Sequence, residues 1–178
     1  MQFKVKDIGE HGLEVDLPVT ATWLSAQCPD LDARLAPGGL RFHGRLDPSG
    51  EDYLLRGQLE GKMMVTCSRC LEPAELALDV PVSVVYVEKE DRRDDDESEE
   101  DESLEAPDVL TFDAGLVDLG SEIRDEILLA IPVSVLCGPD CAGLCSICGG
   151  NRNQNPCDCA ERERARVSKL ADLAKFKS

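Results

Sequence analysis

The sequence predicts an α+β protein with a mostly antiparallel β-sheet in its N-terminal part, one amphipathic helix, a C-terminal four-cysteine zinc-knuckle or ribbon module, and a short basic C-terminal helix. Three observations predict it. Apolar residues alternate with polar ones through much of residues 1–90, the period of half-buried strands. An apolar residue then recurs every fourth position from Leu119 to Ile131, the period of a helix packed on one face. Eight of the nine cysteines fall at spacings that suit metal ligation.

Taken in order, Phe3 and Val5, then Leu13, Val15, Leu17 and Val19, alternate with polar neighbours and read as strands. Thr22–Ala26 reads as a short helical turn and the rest of 27–39 as loop. Leu40–Leu46 and Tyr53–Gly61 form a hairpin pair around the turn-rich Asp47-Pro48-Ser49-Gly50. The β-branched run Leu76–Val87 is a further strand, with Pro81 marking an edge or a break. Residues 1–90 are thus expected to be one strand-rich domain carrying the first C-x-x-C.

Residues 88–108 hold thirteen acidic side chains against Lys89, Arg92 and Arg93. Such a block repels itself, so 91–108 is expected as a disordered acidic loop. A calcium loop starting at Asp94 fails because its sixth position, which requires Gly, is Glu99. The segment 109–136 is expected to carry the amphipathic helix packing on the sheet. Leu119, Ile123, Ile127 and Ile131 form its stripe, Glu122, Arg124, Asp125 and Glu126 its polar side, Asp118 its N-cap and Pro132 its stop. Residues 137–159 form the cysteine-rich module. Residues 160–178 carry six basic against three acidic side chains and read as a basic helix or tail.

The whole chain of 178 residues has a net charge of −17 and 4% aromatic residues. Phosphate affinity comes from Lys and Arg, and single-strand binding from aromatic platforms, so free non-specific binding to nucleic acid is excluded. Contact with RNA must be local or go through a partner. No stretch approaches a membrane span, and the N-terminus alternates instead of building a signal-peptide core. A cytoplasmic protein is expected, in which thiols serve as metal ligands instead of forming disulfides. There is no nucleophile elbow, phosphate loop, HExxH helix or dinucleotide fingerprint, so the expectation is a protein that is not an enzyme and has no small-molecule substrate.

The ordered cysteines are Cys67 and Cys70, Cys137 and Cys141, Cys145 and Cys148, and Cys157 and Cys159. Two thiolates on a tight turn can face one ion at about 2.3 Å, and two such turns complete a tetrahedron. Eight ligands make two sites, and two partitions are open. Cys145, Cys148, Cys157 and Cys159 can close locally, leaving Cys67 and Cys70 to join Cys137 and Cys141 across the acidic stretch. Alternatively Cys67 and Cys70 join Cys145 and Cys148. Zinc suits closed all-thiolate sites, with iron in a rubredoxin-like site as the alternative. Cys141, Cys145 and Cys148 also match a radical S-adenosylmethionine cluster motif, but the barrel that chemistry needs does not fit this length. Arg69 and Arg152 stand where they offset the negative charge of a four-thiolate zinc. Cys28 reads as an ordinary thiol, and His11 and His43 as structural or surface residues.

The combination of Cys67-Ser68-Arg69-Cys70-Leu71-Glu72-Pro73, Asp118-Leu119 through Glu126–Pro132, Cys137-Gly138-Pro139-Asp140-Cys141 through Asn153, and Cys157-Asp158-Cys159 resembles the YceD family, the large ribosomal RNA subunit accumulation proteins. The resemblance implies a role in accumulation of large-subunit ribosomal RNA, hence in ribosome assembly, with no catalytic activity. It also implies that the first cysteine site is the architectural one, since some members lack the second. Contact with RNA through Arg152, Arg162, Arg164, Arg166 and Lys169 is one expectation; capture of a basic ribosomal protein or assembly intermediate by the acidic stretch is the other. The competing function is a redox-sensing zinc–thiolate protein such as a thiol-switch chaperone, since zinc-bound thiolates can oxidise and release the metal.

Overall fold

A computed structural model of the chain describes residues 1–89 and 108–173, with the backbone alone over 167–173. The acidic stretch lies outside the described residues from 90 to 107, as does the end of the basic tail at 174–178. Two compact units divide the chain, each from two separate stretches: Met1–Met64 with Glu75–Pro132, and Val65–Ala74 with Val133–Ser178.

The first unit is built on a five-stranded sheet ordered β2-β3-β4-β5-β6: β2 Leu13–Val19, β3 Ala33–Ser49, β4 Asp52–Thr66, β5 Pro73–Glu88 and β6 Asp108–Phe112. β2 pairs antiparallel with β3 from Leu13↔Leu46 to Val19↔Leu40. β6 runs parallel to β5, Val84 opposite Asp108, which departs from the antiparallel rule at that edge. A separate two-stranded sheet joins β1 Gln2–Lys4 to β7 Leu116–Asp118. The α-helices are α1 Ala21–Gln27 and α2 Leu119–Ala130 in this unit and α3 Cys159–Leu173 in the other, and a 3-10 turn at Val5–Asp7 follows β1, so Val5 is not a strand residue. Among the described residues no helix is long and apolar enough to cross a membrane.

Several elements differ from the sequence expectation for identifiable reasons. β3 begins at Ala33, inside the stretch read as loop. Pro37-Gly38-Gly39, with φ of +99° and +66° at the glycines, breaks the alternation without ending the strand. The β3–β4 turn narrows to Gly50-Glu51, Gly50 taking φ +72°, so Asp47 and Pro48 belong to the strand. Pro81 does not break β5. β6 pairs only with Val84–Glu88, so Pro81 stands past that ladder, exposed, where no N–H is needed toward β6. β6 and β7 precede α2 in a segment read only as helical, and Asp108, read as the end of the loop, is the first residue of β6.

Asp118 caps α2, its carboxylate accepting from the Gly120 N–H at 2.8 Å, and Thr20 caps α1 by accepting from Trp23 N–H at 3.2 Å. Leu119, Ile123 and Ile127 are fully buried and join Phe42, Leu46, Leu55, Leu59, Met63, Val84 and Tyr86 in one core. Gly44 and Gly57 leave room for the Phe42 ring: a Cβ at Gly57 would stand 2.6 Å from it. Cys28 lies in this core, and burial pushes its thiol up. Glu122, expected on the polar side of α2, is only 6% exposed. His43 is at the surface, its Nδ1 3.7 Å from Glu60.

In the second unit the ends of β4 and β5 are joined by a turn carrying Cys67 and Cys70. Residues 133–158 are a succession of turns with one isolated bridge between Leu144 and Asn151, leading into α3.

Candidate metal centres

Both C-x-x-C turns of the second unit have the same backbone. In the first, Cys67 N–H donates to Glu72 O at 2.9 Å and Leu71 N–H to Cys67 O at 3.0 Å. In the other, Cys145 N–H donates to Gly150 O and Gly149 N–H to Cys145 O, both at 2.8 Å. Each turn thereby aims two sulfurs to one side. We call them the first and second knuckle.

The eight sulfurs gather in two groups of four: Cys67, Cys70, Cys137 and Cys141, and Cys145, Cys148, Cys157 and Cys159. Within each group all sulfurs lie within 4.8 Å of one another. Of the two partitions open on spacing, this is the one in which the last four cysteines close locally. Sulfurs about 2.3 Å from a central ion stand about 3.8 Å apart at the corners of a tetrahedron. The measured separations are 3.8 Å for Cys67–Cys141, 3.5 Å for Cys70–Cys137 and 3.8 Å for Cys148–Cys157. The donor sets therefore have the size that a thiolate-bound zinc or iron requires.

The sulfur environments favour thiolates, but not four at once. Burial opposes ionisation of Cys67, yet N–H groups of Arg69, Cys70 and Cys137 outweigh it and pull the thiol down to about 6. The Asn153 amide, 3.4 Å from the Cys141 sulfur, lowers that thiol. The N–H groups of Cys148 and Ile147 bring Cys145 down to about 6. Neighbouring sulfurs do the opposite elsewhere: Cys70 pushes Cys137 up to about 12, and Cys148 pushes Cys159 up to about 12. A dication at the centre of each group would be the charge that lets all four ionise together.

The residues that hold the ligands in place were not visible in the spacing. Ser68 N–H donates to Val135 O at 2.8 Å, and Ser68 Oγ accepts from Val135 N–H at 3.2 Å, tying the first knuckle to the segment that delivers Cys137. Asn153 bridges by accepting from Ala142 N–H at 2.7 Å while donating to the Cys141 sulfur. Glu72 accepts from Asn151 at 3.1 Å and Gln154 at 2.8 Å.

The two groups differ in exposure. Cys67, Cys70 and Cys141 are buried with Cys137 exposed, whereas only Cys145 is buried in the other group. Arg69 donates to the Cys141 carbonyl oxygen at 3.3 Å. Arg152 is exposed, and its backbone N–H donates to Gly143 O at 2.9 Å. On α3, Arg162 pairs with Asp158 at 2.9 Å and Arg166 with Glu163 at 3.6 Å. Arg164 is exposed, and the Lys169 side chain lies outside the described residues.

Fold and site together define a class: an α+β sheet protein whose second unit is organised on two cysteine tetrads able to hold metal ions. The family model described as large ribosomal RNA subunit accumulation protein YceD matches residues 55–177, a stretch that contains all eight clustered cysteines. The chain belongs to the YceD family. The large ribosomal RNA subunit accumulation protein YCED homolog 1, chloroplastic, of Zea mays is 30% identical over 185 residues, 83% of this chain and 63% of that protein. An uncharacterized protein of Mycobacterium tuberculosis is 30% identical over 129 residues, 72% of this chain and 59% of that protein. The chain thus spans about three fifths of the length of these curated relatives. No solved structure matches it.

Proposed function

We propose that this protein is a non-enzymatic, zinc-binding factor in ribosome biogenesis that supports accumulation and processing of large-subunit ribosomal RNA. The observation that carries the reading is that the stretch matched by the family model contains both cysteine tetrads. The tetrads would hold zinc in closed four-thiolate sites, an ion that shapes a surface without offering a position for substrate. Contact with the assembling subunit would run through RNA, at Arg152, Arg162, Arg164, Arg166 and Lys169, or through a basic ribosomal protein. Depletion followed by measurement of precursor and mature large-subunit RNA against small-subunit RNA tests the reading. A fall in mature large-subunit RNA is expected, and an unchanged ratio refutes it. Native mass spectrometry with elemental analysis tests the metal, with two zinc ions per chain expected.

A second reading, a redox-responsive zinc–thiolate switch, draws on the exposure of Cys148 and the half-burial of Cys157 and Cys159. Oxidation of these thiolates would release one metal and unfold the local segment. Mild peroxide that leaves both metals bound and elicits no holdase activity excludes it.

A further inference from the structure

Apart from the tetrads, one further group of ligand-type side chains gathers among the described residues, and it lies wholly in the first unit. Carboxylate oxygens of Asp108, Glu122 and Glu126 stand within 4.8 Å of one another. Asp108 is the first residue of β6, while Glu122 and Glu126 are one helical turn apart on α2 and share a face of it. Acids crowd together on many surfaces without binding anything, because water screens them. Glu122 is not at the surface: it is 6% exposed, and among the described residues it is the one buried charged side chain.

A buried carboxylate is normally satisfied by a donor or a cation. Glu122 has neither outside the group itself. Among the described residues it makes no ion pair, and its polar neighbours are acids: Glu126, with which it shares a hydrogen bond, Asp108, Asp125 and the Tyr86 hydroxyl. A hydrogen bond between two carboxyls needs a proton kept between them and brings no positive charge. The Tyr86 hydroxyl donates elsewhere, to Asp118 O at 3.4 Å, and Arg124 on the same helix pairs with Asp125 at 2.8 Å. The charge that balances such a group is a cation.

We propose that Asp108, Glu122 and Glu126 form a site for a hard divalent cation of calcium's size, which ties the start of β6 to α2. The donors are all carboxylates, which suit calcium or magnesium and not the sulfur-seeking metals considered for the tetrads. Two oxygens on one ion stand no further apart than twice the metal–oxygen distance, about 4.1 Å for magnesium and about 4.6–5.2 Å for calcium. The 4.8 Å bound on this group lies inside the calcium range with the side chains as they stand. Exposed Asp108 and half-buried Glu126 leave one side open to the water that completes calcium's shell of about six to eight oxygens. The site does not depend on the ribosomal reading above.

The test titrates calcium and magnesium separately into the full-length protein, dialysed into metal-free buffer without a strong chelator so that any thiolate-bound metal is retained. Melting of the first unit is followed by the fluorescence of Trp23, which packs against its core. Calcium should raise the melting temperature of the wild type saturably, and at lower concentration than magnesium. Glu122→Gln and Glu126→Gln should each need at least about tenfold more calcium for the same rise, since affinity follows the charge of the ligands. Without calcium Glu122→Gln should melt no lower than wild type, because it removes an uncompensated buried charge, which separates a lost ligand from lost folding. Asp125→Asn removes a charge from the same helix outside the group and should respond as wild type does. The proposal is overturned if neither ion moves the wild type, if magnesium acts at lower concentration than calcium, or if Glu122→Gln responds as wild type does. An Asp125→Asn variant weakened as much as Glu122→Gln also overturns it, by showing diffuse attraction to the acidic surface instead of a site.

Discussion

The two units of this chain are held together by different means. The first closes on Phe42, Leu46, Leu55, Leu59, Met63, Leu119, Ile123 and Ile127, none of them solvent-exposed. The second is too small to bury a comparable apolar set, and its buried positions are mainly cysteines bridged by backbone and amide hydrogen bonds. Small units of this kind lean on a metal where larger ones lean on a core. Metal dependence should therefore divide along the boundary between the units.

Metal removal is the strongest way to break that contrast. With both tetrads holding zinc as proposed, at on the order of 10 kcal/mol per site, a strong chelator at neutral pH should unfold residues 65–74 and 133–166. Amide signals of the sheet should stay dispersed in heteronuclear NMR; dispersed signals from the metal-free second unit would defeat the contrast. Within that unit the tetrads are unequal. Cys67 is fully buried and its group joins stretches far apart in sequence, while Cys148 is exposed in a group spanning 145–159. Cys148→Ser should lose one metal and keep the first tetrad folded, whereas Cys67→Ser should lose the order of the unit.

The converse experiment acts on the core. Phe42→Ala should destabilise the first unit by about 4 kcal/mol, the cost of emptying a large aromatic site. Metal stoichiometry by native mass spectrometry should be unchanged, and loss of metal in this variant would show that the units do not fold separately.

How much of this was legible in the sequence depended on whether the signal was local. The knuckles were, because two cysteines at short spacing on a turn leave few alternatives, and so were the α2 cap at Asp118 and the apolar stripe from Leu119 to Ile127. Pro37-Gly38-Gly39 hid the start of β3, since positive φ values inside a strand erase the alternation that identifies it. β6 and β7 were missed because short strands before a strong helix carry too few residues to show a period. Ser68 and Glu72 support the knuckles through contacts across long sequence separations, and Asn153 through the turn geometry of its own segment, none of which cysteine spacing encodes. Glu122 was misplaced because the helical repeat assigns a side to each residue but does not reveal what else covers that side.

That buried carboxyl gives the next largest effect. Burial, with Glu126, Asp108 and Asp125 nearby, raises Glu122 from 4.5 to about 7; Tyr86 also lies close to it, and no basic group does so among its named neighbours. A carboxyl whose proton is held more tightly in the folded state adds no penalty below about 4.5. It destabilises progressively as pH rises through about 7. Glu122→Gln should therefore stabilise the first unit by about 3 kcal/mol at pH 8 and leave it nearly unchanged at pH 4. Thermal melts of both proteins across that range check it, and parallel curves would assign the pH dependence elsewhere.

The smallest effect separates the two knuckles most cleanly, because it exchanges one residue between turns of the same backbone. With Leu71 at φ +61°, Leu71→Gly removes left-handed strain of about 1–2 kcal/mol but adds unfolded-state freedom of about 0.5–1 kcal/mol, for a net gain of at most about 1.5 kcal/mol. Gly149→Leu runs the same exchange in reverse and should cost at most about 1.5 kcal/mol, and since a Cβ at Gly149 meets nothing within 4 Å, that cost is one of backbone conformation and not of crowding. Midpoints of denaturant unfolding for the second unit, followed through metal release, read both changes. Opposite signs would show that the knuckles share one conformational preference, which Gly149 satisfies and Leu71 does not. Equal signs would mean that the first knuckle relaxes around its leucine, and that the leucine is kept for the turn itself.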